Sequence, residues 1–232
     1  MRKILRLVCL LLVLYGIFAI GKRFYAEYSF RNEINEVKNI SLNLNRDDLS
    51  VDDLKLDSLN KLHKEYENVI GWIRVEDTNI DMPVVKGKDN SYYLNHNYKG
   101  EYHPFGALFL DKDNEIDFSN QNSVIYGHNI KTGYFFHDLM KFYENSSAIG
   151  KEIEVVSLNG INKYKIVAVF KVDPYEDYRK PEYENEKFKK YVEMIKRESK
   201  QEVNLSEDDS ILTLSTCYKH TRRLVVVAKK IT

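Results

Sequence analysis

Cysteine is scarce: the 232 residues contain two. Cys9 lies in an uncharged stretch near the N-terminus, so the rest of the chain has one thiol, Cys217, and no internal disulfide. A disulfide-stapled scaffold is therefore excluded. Basic charge is also missing where a nucleic acid would need it. Arg2, Lys3, Arg6, Lys22 and Arg23 all fall in the first 23 residues, leaving 30 basic against 35 acidic residues in the remainder, a net of −5. Phosphate contacts need clustered Lys and Arg, so no nucleic-acid partner is expected. There is no internal repeat and no low-complexity tract. No acidic cluster points to calcium, and neither a metal nor a cofactor is expected.

Long apolar runs are limited to one place. "LVCLLLVLYGIFAI", residues 7–20, is uncharged for 14 residues, and Ile4 and Leu5 extend it past Arg6. At about 1.5 Å per residue it is short for a hydrocarbon core of roughly 30 Å. Arg6 and Lys22 can snorkel to the interfaces and lengthen the span. The rival reading is a cleaved signal peptide, with Ala19-Ile20-Gly21 as a small-x-small site. Charges pressing on both ends favour an uncleaved anchor. The preceding "LRLV" lacks the small residues a lipoprotein cysteine needs at Cys9. Three basic residues and the amino terminus precede the run and two follow it, which predicts the N-terminus inside and the body outside. An unpaired cysteine in an exported body suggests intermolecular pairing or a reactive thiol; the bland alternative is an inert buried Cys.

The length allows one large domain or two small ones, and 43% hydrophobic residues with 17 Tyr argue for a globular body. Residues 24–45 read as a polar helix with Phe30, Ile34 and Val37 at helical spacing, a stalk or a packing helix. A polar break covers 43–53. Leu59, Leu62 and Tyr66 mark a second helix, with Asp57 or Ser58 as its N-cap. From Val69 onward eight short apolar or alternating runs follow, separated mostly by turn residues: 69–76, 79–87, 106–112, 123–129, 151–158, 162–173, 210–217 and 223–231. Eight strands and a few helices suggest a mainly β fold closed into a barrel. Helices are expected at 133–146, through Phe136, Leu139, Met140 and Tyr143, and at 182–200, through Phe188, Tyr191 or Val192, and Ile195. The expected organisation is an anchor over 1–23, a helical region over 24–66 and a catalytic barrel domain over 67–232.

"SILTLSTCYKHTRRLVVVAKK", residues 210–230, carries the chemistry. Strands at 211–216 and 224–230 joined by a loop over 218–222 place Arg223 opposite Cys217 and send Arg222 to the other face; a loop one residue shorter would swap the arginines. Ser215 and Thr213 share the Cys217 face. Nearby positive charge favours the nucleophilic thiolate, and a guanidinium can stabilise the oxyanion of a tetrahedral intermediate. Two solvated loop arginines are the competing interpretation. Acyl transfer also needs an acid/base. Of the six His, His63 reads as surface. His128 ends the strand "SVIYGH", where Gly127 allows close approach. His220 is near Cys217 in sequence but sits in a polar loop. No Asp or Asn presents itself to orient His128.

"TLSTC" at 213–217, Arg223 followed by "LVVVA", and "YGHN" at 126–129 closely resemble the sortases, specifically class B, over about residues 55–232. The helix-bearing insertion at 182–200 and the N-terminal helices resemble class B rather than the smaller class A enzymes. The resemblance implies an eight-stranded sortase β-barrel with N-terminal helices and an insertion before the Cys strand. It implies a membrane-bound cysteine transpeptidase on the outer face of a Gram-positive cell. Cys217 would attack after Thr in a C-terminal sorting signal, NPQTN-like or LPXTG-like, of a surface protein. An amine of peptidoglycan precursor or of a pilin would resolve the thioacyl enzyme. His128 would be the acid/base and Arg223 the oxyanion or substrate clamp. Tyr126, Ser215, Thr216, Leu94 and Asn129 would bind substrate, with residues of 173–200. The short loop between Cys217 and Arg223 bears on the shape of the groove. The alternatives are an exported cysteine peptidase using the same Cys-His-Arg site, and a non-enzymatic surface binding module. An L,D-transpeptidase would carry Ser-His-Gly before its Cys, where Leu214, Ser215 and Thr216 stand here.

Overall fold

The computed structural model describes residues 2–42, 50–130, 133–145, 147–199, 202–218 and 221–231. The chain divides into two units, Met1–Asn39 and Ile40–Thr232. The first is built from helix α1, Arg2–Leu42. The helix expected over 24–45 is thus continuous with the apolar run, because no proline interrupts residues 2–42. The span Arg2–Val37 is long and apolar enough to cross a membrane.

The second unit opens with α2, Val51–Glu65. Its N-cap is Ser50, whose Oγ accepts from Asp53 N at 3.2 Å, rather than the expected Asp57 or Ser58. Those two lie inside the helix, and Ser58 Oγ donates to the Leu54 carbonyl at 2.7 Å. Ser50, with Asp52 and Asp53 in the first turn, satisfies the free amides and complements the helix dipole, so the helix begins earlier. The polar break therefore ends by Ser50; its residues 43–49 lie outside the described residues. Leu59 and Leu62 are buried. His63 is partly buried with Nδ1 2.8 Å from the Val69 carbonyl, not a free surface residue.

The strands are β1 Val69–Val75, β2 Asp81–Lys86, β3 Leu108–Leu110, β4 Asn122–Tyr126, β5 Asn129–Ile130, β6 Tyr134–Phe135, β7 Glu152–Ser157, β8 Gly160–Val172, β9 Ile211–Tyr218 and β10 Arg222–Lys230. Eight of them close a barrel in the order β1-β2-β3-β4-β9-β10-β8-β7, and each corresponds to one expected run. β5 and β6 form a separate hairpin. That hairpin occupies the start of the helix expected over 133–146, so α3 is shorter, Leu139–Asn145. Phe135 has φ of 55°, which breaks helical continuity there. Asp138, just ahead of α3, is tied to the β1–β2 turn by Asn79 N at 2.8 Å.

β9 lies between β4, which runs parallel to it, and β10, which runs antiparallel. Both of its faces are buried, which is why it reads as a continuous apolar run. Leu212 and Leu214, with Leu224, Val226 and Ile125, are fully buried on one face. On the other, Ile211, Val225, Val227 and Phe170 pack with Phe188, Tyr191, Val192 and Ile195 of α4, Asn185–Ser199. Each fully buried aliphatic or aromatic side chain is worth about 1.5–3 kcal/mol of transfer free energy. The strand end that carries Cys217 is thereby anchored from both sides.

Candidate active site

Cys217 faces Arg223 across the β9–β10 pair, and Tyr218 faces Arg222. This is the register the loop spacing predicts, although both strands run further toward the turn than expected. Cys217 shares the α4-covered face with Ile211, Thr213 and Ser215 by strand alternation. Cover is lost along that face: Thr213 and Ser215 are buried, whereas Cys217 is exposed. The strand carries the thiol out of the packed region into an accessible position.

The Ser215 and Cys217 carbonyls both turn toward β4, accepting from Gly127 N and Asn129 Nδ2, each at 3.3 Å. The N–H and C=O of a strand residue lie on one side. Cys217 and Arg223 are therefore a non-hydrogen-bonded pair, the closer of the two antiparallel types, with Cα atoms about 4.5 Å apart. Thiol and guanidinium start from the tightest cross-strand spacing available. Arg223 Nη1 donates to the Arg222 carbonyl at a long 3.5 Å, and no carboxylate among the described residues neutralises it. Arg222 is engaged elsewhere, with Nη2 3.2 Å from the Lys171 carbonyl and 3.9 Å from Glu198. The Lys171 ammonium in turn sits 3.7 Å from the ring centres of both Tyr143 and Tyr218, which fastens the strand just past Cys217.

His128 is brought to the same end by β4. The parallel β4–β9 register ends with Tyr126 opposite Ser215, so His128 and Cys217 each lie two residues beyond the last paired position of neighbouring strands. Gly127 is required for this: a Cβ there would lie 2.2 Å from Leu108 Cδ2 and 3.0 Å from Phe136. His128 Nε2 is 2.7 Å from the main-chain oxygen of Leu94. A carbonyl can only accept, so Nε2 carries hydrogen and Nδ1 is the ring nitrogen left open. Leu94 ends a short 3-10 turn, Tyr92–Leu94, and its side chain is exposed. The turn is held by Ala107 N donating to the Tyr93 carbonyl at 3.0 Å. Burial pushes the Tyr93 phenol up to about 12, with the neighbouring Tyr92 adding to it.

The remaining expected residues divide. Tyr126 Oη donates to Asp111 at 2.6 Å, and burial with that bond pushes its phenol far up. Asn129 is spent on the Cys217 carbonyl and on His137, whose Nδ1 is 2.7 Å from Asn129 Oδ1. Thr216 points to the barrel interior, 2% exposed, with its hydroxyl unpartnered. Ser215 is buried, and its Oγ lies 3.0 Å from Tyr178 Oη. His220 lies outside the described residues.

Tyr178 was expected only as part of the 173–200 segment. It is 1% exposed, and burial raises its phenol while the bond from Ser215 opposes that rise. Asn122 holds it there. Asn122 Nδ2 donates to the Tyr178 and Lys180 carbonyls, both at 3.1 Å, and Thr213 Oγ1 donates to Asn122 Oδ1 at 2.7 Å. The same segment is fixed to the start of β4 through Asn122 N and the Pro181 carbonyl, 2.9 Å. Among the described residues no group of three His, Cys, Asp or Glu side chains is placed to hold a metal ion.

A cysteine paired with an arginine across two strands, and a histidine two residues past the end of the neighbouring strand, on a closed eight-stranded barrel fit the sortase class of cysteine transpeptidases. The sortase domain family matches residues 73–231, and the chain belongs to that family. Within it the chain is a class B sortase. It is 36% identical over 166 residues to sortase B of Listeria monocytogenes, covering 69% of this chain and 67% of that one. The structure of a Staphylococcus aureus sortase B–substrate complex superposes with a TM-score of 0.79 at 26% identity, covering 89% of this chain and 98% of that one. A sortase B solved in complex with triglycine superposes at 0.78 with 26% identity, covering 89% and 99%.

Proposed function

We propose that Cys217 is the nucleophile, His128 the acid/base and Arg223 the oxyanion and substrate clamp of a transpeptidation that cleaves a sorting signal after Thr. The observation carrying the reading is the placement of Cys217 and Arg223 as a cross-strand pair, with His128 two residues past the end of the neighbouring strand β4. The Cys217 thiolate adds to the Thr carbonyl carbon. The carbonyl π pair moves to oxygen, where the Arg223 guanidinium receives the charge. Collapse breaks the C–N bond, and the leaving amine takes the proton from His128 Nδ1. A thioester to Cys217 remains. The acceptor amine then adds to it and gives a proton to Nδ1. Expulsion of the thiolate forms the new amide and restores the enzyme.

The substrate lies between the Tyr92–Leu94 turn and the Tyr178 segment, with Leu94 exposed on one side and Ser215 and Tyr178 closing the other. Thr216 and Tyr126 support the walls from within. The donor is a surface protein with an NPQTN-like or LPXTG-like signal and the acceptor an amine of peptidoglycan precursor or of a pilin; a Staphylococcus aureus sortase B solved with substrate and a sortase B solved with triglycine support a donor and an amine acceptor as classes. The apolar start of α1, long enough to span a bilayer, is read as a single-pass anchor over 1–23 with the N-terminus cytoplasmic, followed by an N-terminal region over 24–66 that contains α2 and a catalytic domain over 67–232 outside.

The test is intact-mass spectrometry of the body from about residue 26, mixed with signal peptides of both types. A mass gain equal to the fragment ending in Thr, absent in Cys217→Ala, supports thioacyl transfer and identifies the motif. Addition of triglycine should convert the adduct to a peptide ligated at Thr. Release as free acid at an unchanged rate, with or without amine, would make the protein a hydrolase instead.

A further inference from the structure

The β4–β9 ladder stops one rung before the residues that do the chemistry. Its last main-chain bond runs from Gly127 N to the Ser215 carbonyl. Parallel rungs recur every second residue, so the next would link the main chain of residue 129 to the Cys217 carbonyl. The chain has already turned away there, because His128 O accepts from Phe136 N at 3.0 Å and Asn129 pairs with Phe135 in the β5–β6 hairpin. The Cys217 carbonyl nevertheless has a donor from that residue, the side-chain Nδ2 of Asn129 at 3.3 Å. The side chain replaces the missing rung.

An amide can do this in only one orientation. With Nδ2 on the Cys217 carbonyl, Asn129 Oδ1 faces His137 Nδ1 at 2.7 Å. An amide oxygen only accepts, so His137 Nδ1 must carry a hydrogen. If His137 presented a bare nitrogen, the amide would be driven to flip, and its oxygen would face the Cys217 carbonyl. His137 sits between β6 and α3, beside Asp138, which is locked to Asn79. Its segment is thus tied to the β1–β2 turn through Asp138 and to the His128 carbonyl through Phe136 N.

We infer that Asn129 and His137 form a positioning clamp: His137 fixes the orientation of the Asn129 amide, and the amide pins the Cys217 peptide plane to the His128 strand, setting the thiol against the imidazole. This reassigns Asn129 from substrate contact to alignment of the two reacting groups. The inference rests on Cys217 and His128 being the nucleophile and the acid/base.

The test compares His137→Asn with His137→Ala, alongside Asn129→Ala and the double variant Asn129→Ala/His137→Ala. Asparagine places a donating Nδ2 near the position of the histidine Nδ1; alanine places none. Misalignment of reacting groups by about 1 Å costs up to about a hundredfold in rate. His137→Ala and Asn129→Ala should therefore each lose about ten- to a hundredfold in kcat with KM within about twofold. His137→Asn should recover to within about threefold of the parent enzyme, and the double variant should be no worse than either single, since both remove one device. In the folded parent protein, nitrogen-detected NMR should show the Nδ1–H form of His137 at neutral pH. Equal activity of His137→Asn and His137→Ala, additive losses in the double variant, or an Nε2–H tautomer at His137 would each overturn the clamp. Cys217→Ala in the same assay separates the two levels: transfer persisting there refutes the catalytic assignment itself, whereas a dead Cys217→Ala with indifferent His137 variants refutes the clamp alone.

Discussion

His128 Nε2 lies 2.7 Å from the main-chain oxygen of Leu94, 34 residues upstream in the chain. The imidazole is oriented by backbone and not by a carboxylate. A carbonyl cannot take the proton from it, so Nε2 keeps its hydrogen in either charge state of the ring. This places the burden of orientation on the loop that presents Leu94, and that loop depends on a glycine with little space around it.

Gly106 has φ of +63°, and a Cβ on it would lie 2.3 Å from the Tyr93 oxygen and 2.8 Å from the Leu94 oxygen. Gly106→Ala must therefore displace the carbonyl that holds His128. The left-handed backbone and the clash together should cost about 1–3 kcal/mol of stability. The activity loss should exceed what the remaining folded fraction explains. Thermal unfolding and kcat on the same preparation check this; a full rate per folded molecule would show that the Leu94 carbonyl does not orient the acid/base.

The two adjacent arginines should behave very differently. Arg223→Lys keeps the charge beside Cys217 but loses the planar fork, so kcat/KM should fall by about a hundredfold or more, the scale of one lost oxyanion donor. Arg222 is committed to the Lys171 carbonyl and Glu198 at the surface. Arg222→Lys should cost less than about 1 kcal/mol of stability and little activity. Steady-state kinetics on both variants check the assignment; the reverse ranking would move the role to Arg222.

The barrel strands were legible in the sequence because each is a short apolar or alternating run bounded by turn residues, and the Cys217–Arg223 register followed from loop length alone. The cap of α2 was missed because Ser50 and the acidic first turn, Asp52 and Asp53, fall in the polar stretch 43–53 that reads as a break between helices. The β5–β6 hairpin was hidden inside a stretch with helical spacing, Phe136, Leu139 and Met140, whose first part is diverted by the positive φ of Phe135. The orienting group for His128 was invisible for a simpler reason: it is a carbonyl, which every residue has. Tyr178 and Asn122 were illegible as site residues because their partners lie 37 and 56 residues away.

Acid should loosen the support behind α3. Asp138 is almost fully buried. Burial alone would raise its carboxyl, but the bonds from Lys141 and from Asn79 N and Nδ2 outweigh it and hold the group below its ordinary 3.8. A carboxyl lowered in the folded state contributes stability that is present above about pH 4 and lost as pH falls through the lowered value. Asp138→Asn should cost about 2 kcal/mol at neutral pH, with a drop in Tm that narrows below about pH 4. A Tm difference independent of pH from neutral down to that range would show that the charge of Asp138 is not what stabilises the turn.

Asn122 tests the wall of the groove without touching the reacting groups. It is the fully buried first residue of β4, and three bonds converge on its amide: two to the carbonyls of Tyr178 and Lys180 and one from Thr213. Asn122→Ala leaves those groups without partners in a dry site, a cost of about 1–3 kcal/mol for each one left unsatisfied. Asn122→Asp keeps the acceptor for Thr213 but turns an oxygen toward both carbonyls, so it should release the Tyr178 segment more selectively. Tyr178 carries the Ser215 contact beside Cys217, so its release should widen the groove. KM for the signal peptide should rise by about tenfold, while the rate of Cys217 alkylation by a small reagent stays within about twofold, because the thiol and its strand are held by β10 and by Asn129. A kcat defect with unchanged KM, or a parallel loss of alkylation, would mean that Asn122 supports the nucleophile strand and not the substrate wall.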